Sequence, residues 1–227
     1  MTNSSQLETV LVFSGGLDSY VLAHELANMS VRFRGLYINF GKPVCQREMA
    51  TVKRLALNLH LPVDYVDVSG LAALQSGYVP DMHIQRDELD VKEYEDIVKG
   101  ISYTSGFQIL LGIATYYSQI VGADSMSLGV IKDQSKSRPE LTSLFAKMSE
   151  IAGILNPSRS AFQISTPYIT KTKAEVIKTG SALGASIEES WSCMLAGALQ
   201  CGVCGQCKSR RDAFKKAKVK DKTEYLS

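Results

Sequence analysis

The chain has 227 residues, of which 45% are hydrophobic, and its formal net charge is +2 at pH 7. This size and apolar content predict one globular domain with a small appendage. The weak charge argues against a nucleic-acid partner, and no apolar stretch is long enough for a membrane-spanning helix. The polar start, residues 1–6, is unlike a signal peptide, so we expect a cytoplasmic protein without membrane contact.

A glycine-containing segment, Ser14-Gly15-Gly16-Leu17-Asp18-Ser19, follows the first predicted strand at residues 9–13. Residues 19–29 then have the apolar spacing of a helix, which Ser19 is expected to cap. A strand, a glycine turn and a helix together aim free backbone N–H groups at an anion. The segment therefore predicts a phosphate site, and a plain βα turn is the alternative because Gly, Ser and Asp are common there too.

Asp18 is unexpected in a loop that binds anions, because its carboxylate would repel them. A carboxylate there is explained if it holds a cation such as Mg²⁺, which bridges phosphate oxygens. Neither G-x-x-x-x-G-K-[ST] nor G-x-G-x-x-G occurs in the chain, so the common nucleotide-binding loops are excluded.

Strands and helices alternate along the rest of the chain. Further strands are predicted at residues 32–40, 62–68, 124–130 and 163–167, and helices at 44–59, 107–120, from 138 and from 172. Pro139 suits the first turn of one helix, and Thr172 with Glu175 forms a capping box for another. This alternation predicts an α/β fold, a doubly wound parallel five-stranded sheet with helices on both faces.

The regular pattern fails at two places. The loss of the strand–helix pattern at residues 70–102 predicts an insertion, and residues 81–99 within it are rich in charge. A lid over a ligand site, a short amphipathic helix and a solvated loop all fit this composition. The lysine-rich tail after Ala217 is expected to fray.

Ligands of open α/β sheets bind beyond the carboxyl ends of the strands, where the glycine segment and residues 39–42, 129–138 and 166–173 would meet. Arg138 is a candidate there because a guanidinium can grip a phosphate at two points. Lys173 is another, because a cation at a helix start opposes the helix dipole unless an anion offsets it. An exposed side chain is the alternative for each.

The cysteines are clustered near the C-terminus. Four of the five lie in the spacing C-x7-C-x2-C-x2-C, at Cys193, Cys201, Cys204 and Cys207. Four thiolates with no open position are typical of structural zinc, and an iron–sulfur cluster or a redox pair are the alternatives. Cys45 stands alone and is expected to be structural.

The S-G-G-x-D-S segment after the first strand resembles the pyrophosphate loop (PP-loop) of the ATP-pyrophosphatase superfamily. Combined with Trp191-Ser192-Cys193 before the other cysteines and with Arg138-Pro139-Glu140-Leu141, it resembles the 7-cyano-7-deazaguanine synthase (QueC) family of queuosine biosynthesis. The likeness extends over almost the whole chain. It implies an adenine nucleotide alpha hydrolase-like, Rossmann-like domain at residues 1–190 and a zinc-binding segment at residues 191–227.

The resemblance also implies an activity, that of an ATP-dependent C–N ligase releasing AMP and pyrophosphate. The carboxylate of 7-carboxy-7-deazaguanine would be adenylated and would take ammonia, giving an amide and then a nitrile. Asp18, Arg138 and Lys173 would be catalytic, the cysteines would hold Zn²⁺, and the family's self-association implies a homodimer. ATP and Mg²⁺ would be bound by Phe13, Ser14, Gly15, Gly16, Leu17, Asp18, Ser19, Asn39 and Phe40.

Two segments on the expected substrate side, residues 103–108 and 131–137, depart from the family pattern. They leave the acceptor of the activated acid open. One alternative is a QueC-like enzyme of an antiviral, anti-phage system that joins the deazaguanine acid to a protein amine. Another is a non-catalytic nucleotide-binding module.

Overall fold

The strands of the computed structural model form one parallel sheet. The structure describes residues 7–74, 106–137, 139–156 and 161–226. The strands there are β1 (Thr9–Val12), β2 (Phe33–Asn39), β3 (Val63–Asp67), β4 (Ser125–Ser127) and β5 (Gln163–Ser165). Their order is β3-β2-β1-β4-β5, and every neighbouring pair is parallel. The predicted five-stranded parallel sheet is confirmed, and its order changes direction between β1 and β4, where a crevice for ligands is expected.

Helices follow the strands in alternation. They are α1 (Leu17–Asn28), α2 (Cys45–Asn58), α3 (Gly106–Ile120), α4 (Lys132–Ser137), α5 (Leu141–Leu155), α6 (Lys173–Ala182) and α7 (Gly205–Ala217). Short 3-10 helices occupy Ser69–Leu74 and Ile187–Glu189. None of the helices in the described ranges combines the length and the apolar character required to cross a bilayer.

Two hydrophobic cores lie on opposite faces of the sheet. Leu11 and Phe13 are fully buried and share one core with side chains of α1, α2, α6 and α7. Val10, also fully buried, belongs to the other core with side chains of α3 and α5. Successive strand residues point to opposite faces, so a strand covered on both sides must be apolar throughout. This pattern confirms the doubly wound arrangement.

Two local predictions were wrong, and one helix was missed. Strand β4 ends at Ser127 rather than at residue 130, and the unpredicted helix α4 follows it. Helix α5 begins at Leu141, so Pro139 lies in the preceding turn, and the carbonyl of Glu140 accepts the first helical bond from Leu144 N.

The C-terminal tail is held in place, which corrects the expected fraying. The hydroxyl of Thr223 accepts hydrogen bonds from the guanidinium of Arg210 at 2.9 and 3.2 Å. Tyr225 forms a parallel bridge with Gln200, and its hydroxyl donates to Asp221 at 2.7 Å. The lysines of this tail can remain solvated while its other side chains bind the protein. Most of the predicted insertion, including residues 81–99, falls outside the described residues.

Candidate nucleotide site and cysteine cluster

Residues 14–19, here called the glycine loop, connect β1 to α1 with a turn that requires glycine. Gly15 has φ of +72°, and a Cβ there would lie 3.1 Å from Cγ2 of Val52. Gly16 is the N-cap of α1, and no side chain caps the helix. Because the first N–H groups of a helix lack intrahelical partners, this start offers donors to an anion.

The two serines shape the glycine loop from within. Ser19 is the third residue of α1 rather than its cap, so that prediction was wrong. Its hydroxyl donates to the carbonyl of Gly16 at 3.1 Å and lies 3.2 Å from the hydroxyl oxygen of Ser14. Ser14 also accepts the N–H of Gly16 at 3.3 Å. Ser19 is buried whereas Ser14 is exposed, so Ser14 is the hydroxyl that a ligand can reach.

Asp18 faces a lysine across the end of the sheet. Lys173 Nζ lies 3.7 Å from Oδ2 of Asp18, and the two side chains are only 12% and 19% exposed. Burial raises the pKa of the Asp18 carboxyl, and the charges of Lys173 and Arg210 oppose that rise. The other oxygen, Oδ1, is buried and has no hydrogen-bond partner within the described ranges. A buried carboxylate oxygen without a donor fits a cation ligand, so this site is suited to Mg²⁺.

Lys173 stands at the start of α6, and the capping box predicted there is confirmed. Thr172 Oγ1 accepts the N–H of Glu175 at 3.3 Å, and Glu175 Oε2 accepts the N–H of Thr172 at 2.7 Å. The anion that offsets the lysine at this helix start is Asp18 itself. The dipole argument therefore no longer requires a phosphate beside Lys173.

The remaining predicted residues differ in what they can offer. Phe13 and Leu17 are buried in the core, so only their backbone can reach a nucleotide. Asn39 already bonds Asp67, with Nδ2 to Oδ2 at 3.1 Å, and Phe40 packs against the second core. Arg138 lies outside the described residues.

Just after β4 the chain approaches the glycine loop closely, at residues that the sequence had placed at this edge of the sheet without singling out Gly129. A Cβ on Gly129 would come within 3.0 Å of the Asp18 carbonyl carbon and of Ser19 N. Gly129 thus allows the chain leaving β4 to pass directly against the glycine loop. The glycine alone is a weak signal, because its neighbour is distant in the sequence.

The four clustered cysteines are brought together as predicted. Their Sγ atoms lie within 4.8 Å of one another, and all four residues are buried. The N–H groups of Leu195 and Cys201 donate to Cys193 Sγ at 3.3 and 3.4 Å. Hydrogen bonds with Cys193 and Cys204 raise the pKa of the Cys207 thiol, so thiols this close resist ionising together unless a cation is present. The arrangement fits a metal ion held by four sulfurs.

Trp191 joins this cluster to the glycine loop. Its backbone N–H donates to the carbonyl of Gly15 at 3.0 Å, and its ring packs with the cysteines. The guanidinium of Arg47 lies 4.5 Å from the centre of that ring and donates to the carbonyl of Ala198 at 2.8 Å. Sequence analysis placed Trp191 beside the cysteines but did not predict its bond to the loop.

The strand order and the glycine loop at the point where that order changes define a class, the Rossmann-like α/β proteins with a PP-loop. The cysteine cluster sets this chain apart within that class. A sequence model of the family described as queuosine biosynthesis protein QueC matches residues 8–218, and the chain belongs to that family.

Two curated relatives illustrate the family relationship. The chain is 31% identical to 7-cyano-7-deazaguanine synthase of Methanospirillum hungatei, an alignment that covers 96% of this chain and 100% of the relative. The protein of the same name from a Nitratiruptor species is 25% identical, with 97% and 100% covered. Among solved structures, an NH3-dependent NAD synthetase from Campylobacter jejuni is 15% identical, with 81% and 67% covered and a TM-score of 0.47. The resemblance noted in the sequence is confirmed by the family match.

Proposed function

We propose that this protein is an ATP-dependent ligase that adenylates the carboxylate of 7-carboxy-7-deazaguanine and forms C–N bonds with ammonia. Family membership across residues 8–218 and relatives named 7-cyano-7-deazaguanine synthase support the substrate. The structural observation that carries the proposal is the Asp18–Lys173 pair beside a helix start whose N-cap is a glycine, with one carboxylate oxygen that has no partner among the described residues.

The proposed chemistry begins with activation of a poor leaving group. A carboxylate oxygen attacks the α-phosphorus of ATP, and the bond to the bridging oxygen breaks so that pyrophosphate leaves with its electron pair. Ammonia then attacks the acyl carbon, loses a proton and expels AMP, giving the amide. A second ATP would activate the amide oxygen in the same way, and loss of AMP and the two N–H protons would give the nitrile.

The chain would act mainly by positioning and electrostatics. The N–H groups at the start of α1 and the Ser14 hydroxyl would hold the phosphates. Asp18 would hold Mg²⁺, which supplies positive charge to the phosphate oxygens when bound. Lys173 Nζ would stabilise the charge that develops on the departing pyrophosphate, and we propose the same role for Arg138.

We further propose that the cysteine cluster holds Zn²⁺ in a structural role. Four buried thiolates leave no open coordination position for a substrate, which favours structure over catalysis. The cluster lies behind the glycine loop, to which it is joined through Trp191.

The test combines the protein with ATP, Mg²⁺ and the deazaguanine acid, with and without ammonia, and identifies the products by mass spectrometry. We expect amide and nitrile only when ammonia is present, with AMP and pyrophosphate released in proportion. ATP binding without AMP release would favour a non-catalytic module instead. An adduct on an amine of a co-expressed protein, without free nitrile, would identify a conjugating enzyme.

A further inference from the structure

Arg210 is a buried cation that the chemistry above does not use. Its side chain is 0% exposed and is the largest of the fully buried side chains in the described parts of the chain. It belongs to α7, one helical turn after Cys207. Burying a guanidinium costs several kcal/mol unless its donors are satisfied. The donors of Arg210 are satisfied by specific acceptors, and those contacts indicate its role.

The guanidinium binds two separate parts of the chain. Nη1 donates to the hydroxyls of Ser190 and Ser192 at 2.8 and 3.0 Å, and Nη2 donates to the carbonyl of Ile187 at 2.7 Å. From the other side, Nε and Nη2 donate to Thr223 Oγ1. All these acceptors are neutral oxygens, so the fork fixes the geometry of the segments it binds, while the charge of the Asp221 carboxylate favours the protonated guanidinium.

The segment that Arg210 holds is the one that contacts the glycine loop. Ser190 and Ser192 flank Trp191, whose N–H donates to the carbonyl of Gly15 at 3.0 Å. The buried side chain of Gln200 supports the same segment, since it donates to Ser190 O at 3.0 Å and accepts from Ser192 N at 3.2 Å. The Trp191 N–H is therefore held from both sides.

This hydrogen bond adds to those of the two serines in fixing the shape of the glycine loop. A peptide unit is planar, so holding the Gly15 carbonyl also directs the N–H of Gly16. That N–H donates to Ser14 Oγ, the exposed hydroxyl of the loop. The positive charge of Arg210 also reaches this region, because it acts on the Asp18 carboxylate. Phosphates bound in the loop would depend both on the direction of the Gly16 N–H and on the positive charge of Arg210.

We propose that Arg210 is a positioning residue for the nucleotide, which holds residues 190–192 so that the Trp191 N–H keeps the glycine loop in its phosphate-binding shape. The inference rests on the proposed function, because it takes the nucleotide to be ATP. It does not depend on which acid is activated or which amine accepts it.

The test replaces the planar fork by a single point charge in Arg210→Lys. The matched control is Arg211→Lys, the same change at the exposed neighbouring position of the same helix. Because hydrogen bonds to charged groups are lost, we expect the Kd and KM for ATP to rise about tenfold or more. The kcat and the KM for the acid should change much less, since the loss is of ATP binding in general. Amide hydrogen exchange in residues 13–19 should also become faster without nucleotide.

Circular dichroism and a thermal melt establish first that each variant folds. If Arg210→Lys does not fold, the double variant Ser190→Ala with Ser192→Ala takes its place. It removes two acceptors and keeps the arginine, and ATP affinity and hydrogen exchange are then measured on it in the same way. Folded variants with unchanged ATP affinity and unchanged exchange in residues 13–19 would overturn the inference. If the unaltered protein binds no ATP, the proposed function fails, while the exchange of residues 13–19 still tests the positioning role.

Discussion

Two helix starts in this chain follow similar glycine turns but end differently. Helix α1 follows Gly15, with φ of +72°, and α7 follows Gly202, with φ of +78°. At α7 the side chain of Cys204 caps the helix by accepting the N–H of Cys207, whereas no side chain caps α1 after Gly16. Similar turns therefore lead to a helix start that is capped by sulfur at α7 and to one whose N–H groups stay available to a ligand at α1.

The comparison teaches that the cap, more than the turn, decides what a helix start can bind. Both starts present the positive end of a helix dipole. At α7 this end is occupied by the sulfur of Cys204, one of four clustered thiols that together suit a cation. At α1 the same field is available to phosphate. Each of the following predictions alters one of the two starts and asks whether the other responds.

The largest effect is expected at the start of α7, which the sulfur of Cys204 caps. Cys204→Ser, or a strong chelator, should remove the metal and unfold the C-terminal segment, because binding energy at such sites, on the order of 10 kcal/mol, is folding energy. Elemental analysis should find one zinc per chain. Hydrogen exchange should rise in residues 193–217 before residues 9–28.

Cys45→Ala is the control for that experiment, because Cys45 is also buried but is not one of the four cysteines whose sulfurs come together, so the metal content should stay unchanged. Iron in place of zinc would contradict the structural assignment. A chelator that strips the metal without any change in exchange would contradict the stabilising role.

The next largest effect is expected at the start of α1, which contains Asp18. Asp18→Asn keeps the size of the side chain and removes its charge. Because a preorganised charge at the reacting phosphates is lost, we expect pyrophosphate release to fall about 100-fold to 1000-fold. A coupled pyrophosphate assay measures it, and Asp212→Asn, at an exposed position of α7, is the control. Turnover by Asp18→Asn at the original rate would rule out the assigned role.

A smaller effect is expected from the glycine turn, where two variants distinguish the cost of a positive φ from a loss of ATP binding. Gly15→Ala and Gly184→Ala both place a side chain at positive φ, at +72° and +71°. The strained φ should cost each variant about 1–2 kcal/mol in the free energy of unfolding, and Gly15→Ala should lose more because its Cβ would lie 3.1 Å from Val52 Cγ2. Only Gly15→Ala should also weaken ATP binding, by roughly tenfold, since residue 15 belongs to the glycine loop and residue 184 does not. Equal ATP affinity in the two variants, measured by calorimetry, would argue against the loop as the phosphate site.

The smallest effect concerns a third helix start, α6, which is capped by its own side chains. Thr172→Ala removes the capping box and should cost about 1 kcal/mol of stability. A domain of this size should then melt about 2–4 °C lower. We expect its ATP affinity to fall less than that of Gly15→Ala, and Thr179→Ala on the same helix serves as the comparison. A loss of ATP affinity as large as that of Gly15→Ala would mean that the cap of α6 belongs to the nucleotide site.

Short-range patterns account for what the sequence could predict. The apolar run of β1, the capping box of α6 and the spacing of the cysteines are each contained within a few residues. The pairing of Asp18 with Lys173 is different, because the two are joined only when α1 and α6 meet. Sequence motifs identified both residues as candidates, but only the fold shows that their side chains lie close enough to form an ion pair.

Arg210 shows why the rest could not be predicted. Nothing in the local pattern distinguishes Arg210, which is fully buried, from Arg211, which is exposed. The acceptors of Arg210 lie in Ser190, Ser192 and Thr223, which come together only after α7 packs and the tail returns. The end of β4 could not be predicted for a similar reason, since Leu128 and Val130 are apolar and buried yet lie beyond the end of the strand.

The position of Trp191 has a practical consequence. It is the single tryptophan of the chain, and it is 8% exposed, with a guanidinium over its ring and cysteines against it. Its backbone also touches the glycine loop. Intrinsic fluorescence excited at the indole therefore comes from one place that borders both proposed ligand sites, so an unlabelled sample can be followed in real time as nucleotide or metal is added.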